Sequence, residues 1–480
     1  MPALPIAANI PAVHALCTLD DPEYGATKEP PVQADKILKY NARLPRYTSY
    51  PTAAQFQPDV GHETAAGWLQ ALAPDAAISL YLHVPFCRSL CWYCGCNMRV
   101  VNRDGPLDAY CARLAHEIAT LAGQLPGRLQ VGHLHWGGGT PTVLGPERLG
   151  RVMDALDSHF SLRSDAEVAI EIDPRVLDAE MAQALGRLGF NRASIGIQDL
   201  NPEVQRAVNR LQSWEETQQA AALLAAAGID RLNLDLIYGL PHQTPARVVA
   251  TVAASLSLQP ERVALFGYAH VPWMKQHQNL LDADALPGPR DRLQQYDAAA
   301  GYMTAQGYVA VGLDHFARAG SPFAATAAGG HLHRNFQGYT EDDCSILLGL
   351  GASSISDLGV GLMQNASDIR SYNAAVDAGR LPVVRGVART ADDRLRSDVI
   401  EQLMCNFQVD LAAVCAGHGA RPDGFATALA QLAPLQADGL VQRDGWTLRV
   451  PEAARPIVRA VAACFDSYLR PGAEAHATAV

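Results

Sequence analysis

The sequence lacks any uninterrupted apolar run of about 18 residues, so no membrane-spanning helix is expected in its 480 positions. It also lacks a basic surplus. Its 38 Lys and Arg stand against 49 Asp and Glu, a formal charge of −11. That balance argues against bulk nucleic-acid or anionic-membrane binding and leaves only local arginine sites for small anions. No basic leader opens the chain: the first stretch holds Asp20, Asp21, Glu23 and Glu29, so residues 1–35 read as a disordered tail rather than a secretory signal. A cytoplasmic location follows, with reduced cysteines, and a cysteine cluster there points to metal or redox chemistry rather than disulfides. There is no internal repeat beyond strand–helix alternation. With 49% apolar and 18% charged residues, the chain is an ordinary globular protein long enough for two to three domains.

From about residue 76, short apolar or β-branched runs alternate with Ala/Leu-rich stretches. The runs are Ile78–Val84, Val131–Trp136, Val168–Ile172, Arg192–Ile197, Arg231–Ile237 and Arg262–Tyr268. Asp178–Leu188, Trp214–Ala227 and Asp297–Gln306 have helix composition between or after them. Six such strands predict an α/β fold with a parallel sheet, open or curled towards a barrel, and a site at the strands' C-terminal ends. The unusual residues sit at those ends. Residues 36–75 read as an N-terminal arm, expected to cover the barrel mouth once a substrate is bound, whose Lys39–Ala53 segment carries two prolines and no regular helix. Residues 76–315 read as the barrel, 316–390 as a flanking connection and 391–470 as a mostly helical, winged-helix-like domain, with 471–480 a tail. In the last domain, Asp392–Cys405, Phe425–Asp438 and Val458–Leu469 are expected helices, and Asp444-Gly445 a hairpin turn. The acidic balance favours packing over nucleic-acid contact for this module.

Against that background one clump stands out. "CRSLCWYCGC", residues 87–96, holds four of the ten cysteines. Cys87, Cys91 and Cys94 form C-x3-C-x2-C, which suits three corners of a cubane iron–sulfur cluster and leaves the fourth iron without a protein ligand. A zinc site is the alternative, but zinc usually takes two short knuckles from separated segments, and no second pair appears. Inert buried cysteines fit less well, because Arg88, Ser89, Trp92 and Tyr93 do not make a core run. "HWGGGTPT" (His135–Thr142) offers bare backbone to a ligand or simply a tight strand-to-helix turn; it lacks the G-K-[ST] ending of a phosphate loop.

The cysteine spacing, Tyr93 before the third cysteine and the position after the first strand resemble the radical S-adenosylmethionine (SAM) signature. "PRYTSYPTA", "YLHVPFCRSLCWYCGCN", "HWGGGTPT", "EIDPR", "SIGIQDLNPEVQRAVNR", "NLDLIYGLP", "YAHVPW" and "LHRNFQGYT" resemble, in order, the oxygen-independent coproporphyrinogen III oxidases. The resemblance runs from about residue 39 to 470. It implies a partial (β/α)6 radical SAM barrel, a [4Fe-4S] cluster on Cys87, Cys91 and Cys94, and two molecules of S-adenosylmethionine. It further implies conversion of two propionates of coproporphyrinogen III to vinyls, giving protoporphyrinogen IX for haem synthesis. A flavodoxin or ferredoxin as reductant and a monomeric state go with that reading.

Carried over by matching positions, the first S-adenosylmethionine is expected to meet Tyr81, Gly138, Glu171, Ala269 and Ile355. The second is expected to meet Tyr93, Gly139, Thr140, Gln198, Arg210 and Asp235. Physically, Glu171 and Asp235 end strands, where they either accept from an ammonium or hydroxyl or cap the next helix. Arg210 is either a carboxylate partner or a surface residue. The substrate's four propionates call for cations, and Arg46, Lys275 and Arg334 are candidates beside solvated-surface readings, with Tyr47 and Tyr50 as stacking or hydrogen-bond partners. Glu341, Asp342 and Asp343 depart from the family pattern and are expected to repel propionates unless they face away. Cys96 marks the oxidases against related haem chaperones; a chaperone, another two-cofactor radical enzyme and a zinc protein are the alternatives.

Overall fold

The computed structural model describes residues 33–469, so both expected tails lie outside the described residues except for Gln33–Asp35. Gln33–Lys39 forms a helix. One twelve-stranded open sheet dominates. Its strands are β1 (Ala77–Val84), β2 (Gln130–Gly138), β3 (Ser161–Ile172), β4 (Arg192–Gln198), β5 (Arg231–Tyr238) and β6 (Arg262–Gly267), followed by β7 (Tyr308–Val311), β8 (His315–Arg318), β9 (Ile346–Leu350), β10 (Ile355–Asp357), β11 (Gly361–Asn365) and β12 (Val383–Ala388). The order across the sheet is β12-β11-β10-β9-β1-β2-β3-β4-β5-β6-β8-β7. The six expected strands are parallel neighbours, and β9 joins β1 as a seventh. Antiparallel strands extend both edges. The stretch 316–390, expected as a connection, therefore supplies β9–β12; its strands are short and three are glycine-bearing, which weakens their pattern in the sequence.

Alternation builds the parallel strands. On β1, Ile78, Leu80, Leu82 and Val84 are buried on one face, while Ser79, Tyr81 and His83 form the other. Each fully buried leucine or isoleucine contributes roughly 1.5–3 kcal/mol. The two flanking helices also start where chemistry dictates. Asp178 accepts from the Met181 amide ahead of Ala179–Arg187, and Ser213 with Glu216 makes a capping box ahead of Trp214–Ala226. The helix expected at Asp297 begins earlier, at Pro289, because Pro at the first position and Gly288 before it form the start.

The C-terminal domain holds helices Ala391–Asn406 and Ala426–Ala437, a three-stranded sheet containing the Asp444–Thr447 hairpin, and helix Val458–Ala463. The last helix ends before the expected Leu469. Its core takes in Ala34, Ile37, Tyr47 and Tyr50 from the arm, so arm and domain pack as one body. No helix among the described residues is long and apolar enough to cross a membrane.

Candidate functional site

The cysteine loop follows β1 directly, at the carboxyl end of the parallel strands, where the loops after β2–β6 also arrive. The Thr140 hydroxyl donates to Cys87 Sγ at 3.4 Å, and Arg210 Nη1 and Arg175 Nη2 reach Cys91 Sγ at 3.6 and 3.8 Å. The backbone amide of Cys96 donates to Cys94 Sγ at 3.4 Å. Burial pushes the Cys87 thiol up to about 12, against the bond from Thr140. The Cys96 thiol beside it brings Cys94 down to about 7, despite burial. The loop is clamped from one side: His277 Nε2 bonds the Cys94 carbonyl at 2.7 Å, and Gln278 donates to the Tyr93 carbonyl at 2.9 Å and the Ala269 carbonyl at 3.3 Å. Lys275, expected near substrate, gives its Nζ to the Cys96 carbonyl at 3.0 Å and is half-buried.

The glycine run is a close-approach segment. A Cβ on Gly139 would stand 2.5 Å from the Phe86 carbonyl oxygen, and Gly138 has φ +110° with the His83 ring where its Cβ would be. Glu171 Oε2 accepts the Gly138 amide at 3.0 Å, and Oε1 lies 3.4 Å from His135 Nε2. Burial pushes the Glu171 carboxyl up, and the bonds from His135 and Gly138 more than reverse it, leaving the group below the ordinary carboxylate value. It does not cap a helix; Asp173 caps the next turn instead. Tyr81 stacks on His135 at 5.9 Å and bonds His83 Nδ1 at 3.0 Å. Gly349 is level with Tyr81 in the sheet, and Ile355 packs its backbone against that glycine.

The second set of expected residues gathers beside the first. Arg210 is buried, not superficial, donating to the Gly196 carbonyl at 2.6 Å with Asp173 at 3.5 Å. Gln198, at φ +69°, brings its amide to the same glycine. Asp235 accepts from Ser194 at 2.7 Å and Asn233 at 2.8 Å, and burial raises its carboxyl above the ordinary value. The fit to an iron–sulfur cluster and an amino-acid cofactor rests on these donors. Three thiols share one loop, bare backbone adjoins them, and the buried Arg210 Nε has no protein partner.

The three unexpected acids have other business. Glu341 pairs with Arg231 and Arg262, each at 2.9 Å, among the arginines around Glu167. Glu167 lies four residues before Glu171 on β3, roughly 13 Å away along the strand. Asp342 accepts from Ser79, and Asp343 is exposed. Asp342 nevertheless lines the same cavity as His135, Glu171 and Asp235, so one of the three acids stays beside the site. Tyr47 and Tyr50 are committed to packing: their hydroxyls bond Asp466 at 3.1 Å and Ser467 at 3.0 Å. Arg46 and Arg334 come together beside Asp314, with Arg292 and Arg459, which sequence reasoning missed. Both missed arginines lie in helix-forming stretches without any motif. His83 was missed although it lies on β1 within a quoted motif, and His277 and Gln278 lie in a short turn after "YAHVPW" that carries no motif.

Known proteins match nearly the whole chain. The profile of the Radical SAM superfamily matches residues 81–254, and that of the HemN C-terminal domain matches residues 390–457. The oxygen-independent coproporphyrinogen III oxidase of Bradyrhizobium diazoefficiens is 48% identical over 450 residues, covering 94% of this chain and 100% of that one. The enzyme of the same name from Paracoccus denitrificans is 43% identical over 436 residues, 91% and 96% of the two chains. The solved structure of coproporphyrinogen III oxidase (HemN) from Escherichia coli, a radical SAM enzyme, matches with a TM-score of 0.85 at 40% identity, over 88% of this chain and 98% of that one.

Proposed function

The chain belongs to the oxygen-independent coproporphyrinogen III oxidases of the radical SAM superfamily, and on that premise we propose that Cys87, Cys91 and Cys94 hold its [4Fe-4S] cluster. As a member it is a radical SAM oxidoreductase that oxidises coproporphyrinogen III without oxygen. In net terms each of two propionates gives up a hydrogen atom, an electron and CO2 and becomes a vinyl, yielding protoporphyrinogen IX. The observation that carries the site assignment is the convergence of three thiols with the buried, part-unpartnered Arg210 at the carboxyl ends of parallel strands.

When bound, the reduced cluster and S-adenosylmethionine supply a 5′-deoxyadenosyl radical for hydrogen abstraction. The chain's own groups bind and orient. Gly138 and Gly139 leave room for close backbone approach, and Glu171, already below the ordinary carboxylate value, can accept an ammonium. Arg210 offers its free Nε to a carboxylate. Tyr81, Ala269 and Ile355 complete a first S-adenosylmethionine site. Tyr93, Gly139, Thr140, Gln198, Arg210 and Asp235 frame a second, whose support is their gathering around Gly196 and the cysteine loop. Cys96 is left out of the cluster; beside Cys94 it favours the thiolate. A flavodoxin or ferredoxin as donor, a monomeric state and a cytoplasmic location complete the reading.

Anaerobic reconstitution followed by turnover with coproporphyrinogen III, dithionite and S-adenosylmethionine tests it. Iron and sulfide in the protein, with CO2 and vinyl product, are expected. Zinc alone in the protein would overturn the cluster, and 5′-deoxyadenosine without CO2 would overturn the substrate.

A further inference from the structure

Beside the carboxyl end of β6, four guanidiniums surround one small cavity of about 60 Å3. They come from Arg46 in the arm, Arg292 in helix Pro289–Ala305, Arg334 and Arg459 of the C-terminal domain. Asp314 is the only carboxylate in the lining among the described residues, and it already bonds His315 Nδ1 at 2.7 Å, with Arg334 no nearer than 4.0 Å. Arg292 Nε and Arg334 Nε are buried and without a protein partner. Arg46 is exposed and lines the cavity from the arm.

Two other arginines are treated differently. Arg262, 1% exposed, meets Glu167, Glu261 and Glu341, and Arg231 meets the same three acids. Buried cations are costly unless paired, so the unpartnered Nε atoms of Arg292 and Arg334, turned to a cavity with one acid among its described lining residues, mark a place for an anion from outside the chain. Burial, with Arg46 close by, lowers Arg459 to about 9.

We propose that this cavity binds carboxylates, and that its occupants are the two propionates of coproporphyrinogen III that the reaction leaves intact. The proposal rests on the substrate given above. Three observations narrow the occupant. The volume admits several waters or a pair of carboxylates, not a tetrapyrrole, so the ring must lie outside with its substituents inside. The cavity borders Ala269, whose carbonyl shares the Gln278 amide with Tyr93 of the cysteine loop, so the ring would sit next to the reacting centre. Guanidinium pairing stabilises a carboxylate as the anion and opposes its departure as CO2, so the clamped propionates are the retained ones.

Equilibrium binding of three fluorescent porphyrins to the reconstituted protein tests this: coproporphyrin III, its tetramethyl ester, and protoporphyrin IX, which keeps only the two retained propionates. Arg292→Gln and Arg459→Gln are expected to weaken coproporphyrin III and protoporphyrin IX binding by about tenfold or more, and to leave ester binding as in the wild type. Arg292→Lys should recover part of the loss. Iron content and thermal midpoint report folding, and Arg46→Gln in the arm covers the case of a buried variant that does not fold. Wild-type affinity in the variants, or equal loss for acid and ester, overturns the cavity as a carboxylate site. A loss seen with coproporphyrin III but not protoporphyrin IX overturns the retained-propionate assignment. Wild-type protein that binds none of the three overturns the substrate itself, and this proposal with it.

Discussion

The Glu171 carboxylate accepts the backbone amide of Gly138 at 3.0 Å, tying the end of β3 to the glycine run after β2. Glu171→Ala removes the acceptor for that amide and for His135, a cost of about 1–3 kcal/mol for the buried donor. The variant should keep its iron and bind S-adenosylmethionine at least about tenfold more weakly in equilibrium dialysis. Unchanged affinity would show that Glu171 only braces the loop.

Cys91 and Cys96 should separate cleanly. Cys91→Ser is expected to lose iron, sulfide and turnover together. Cys96→Ser should retain iron and sulfide, since its thiol sits beside Cys94 rather than completing the trio. Iron loss in both variants to the same extent would make Cys96 a ligand.

Glu341 holds Arg231 and the fully buried Arg262. Glu341→Ala breaks a buried charge network and should lower unfolding stability by about 3–5 kcal/mol in denaturant titration, without altering the KM for coproporphyrinogen III. A KM change with stability intact would return this acid to the substrate site.

The parallel strands were legible because apolar alternation and β-branched content repeat at Ile78–Val84 and its successors, and the cysteine trio because its spacing is dense and specific. Glu171 was legible as an acid at a strand end; Asp235, expected at one too, lies three residues before the end of β5. The pairing of the arm with the C-terminal domain was not, because Tyr47 and Tyr50 carry no sign of whether their hydroxyls meet Asp466 and Ser467 or a ligand. Nor was the arginine cavity. Its members are spread from Arg46 to Arg459, and only tertiary contact shows that a single acid stands among them. The alarm raised by Glu341–Asp343 had the same origin: a charge read in sequence has no visible partner until the fold supplies Arg231, Arg262 and Ser79.

His83 gives a pH signature. Its Nε2 pairs with the Asn97 carbonyl at 2.8 Å and its Nδ1 with the Tyr81 hydroxyl at 3.0 Å, which suits the neutral ring. Burial lowers its pKa below the ordinary 6.5, against the pull of the Asn97 carbonyl. The unfolded chain therefore takes up this proton first as pH falls. The stability tied to His83 is full above about 6.5 and lost as pH drops through the folded value. The gap in thermal midpoint between wild type and His83→Gln should narrow from about pH 8 to about pH 5. A constant gap would mean that His83 does not titrate differently on folding.

The most direct measurement follows a label from substrate to cofactor. Coproporphyrinogen III deuterated at the β-carbons of its propionates is turned over anaerobically, and the 5′-deoxyadenosine is examined by mass spectrometry while CO2 and vinyl groups are counted. Radical decarboxylation at this site predicts deuterium in the 5′-deoxyadenosine and equal amounts of CO2 and vinyl. Vinyl product with unlabelled 5′-deoxyadenosine, or labelled 5′-deoxyadenosine without CO2, would contradict it.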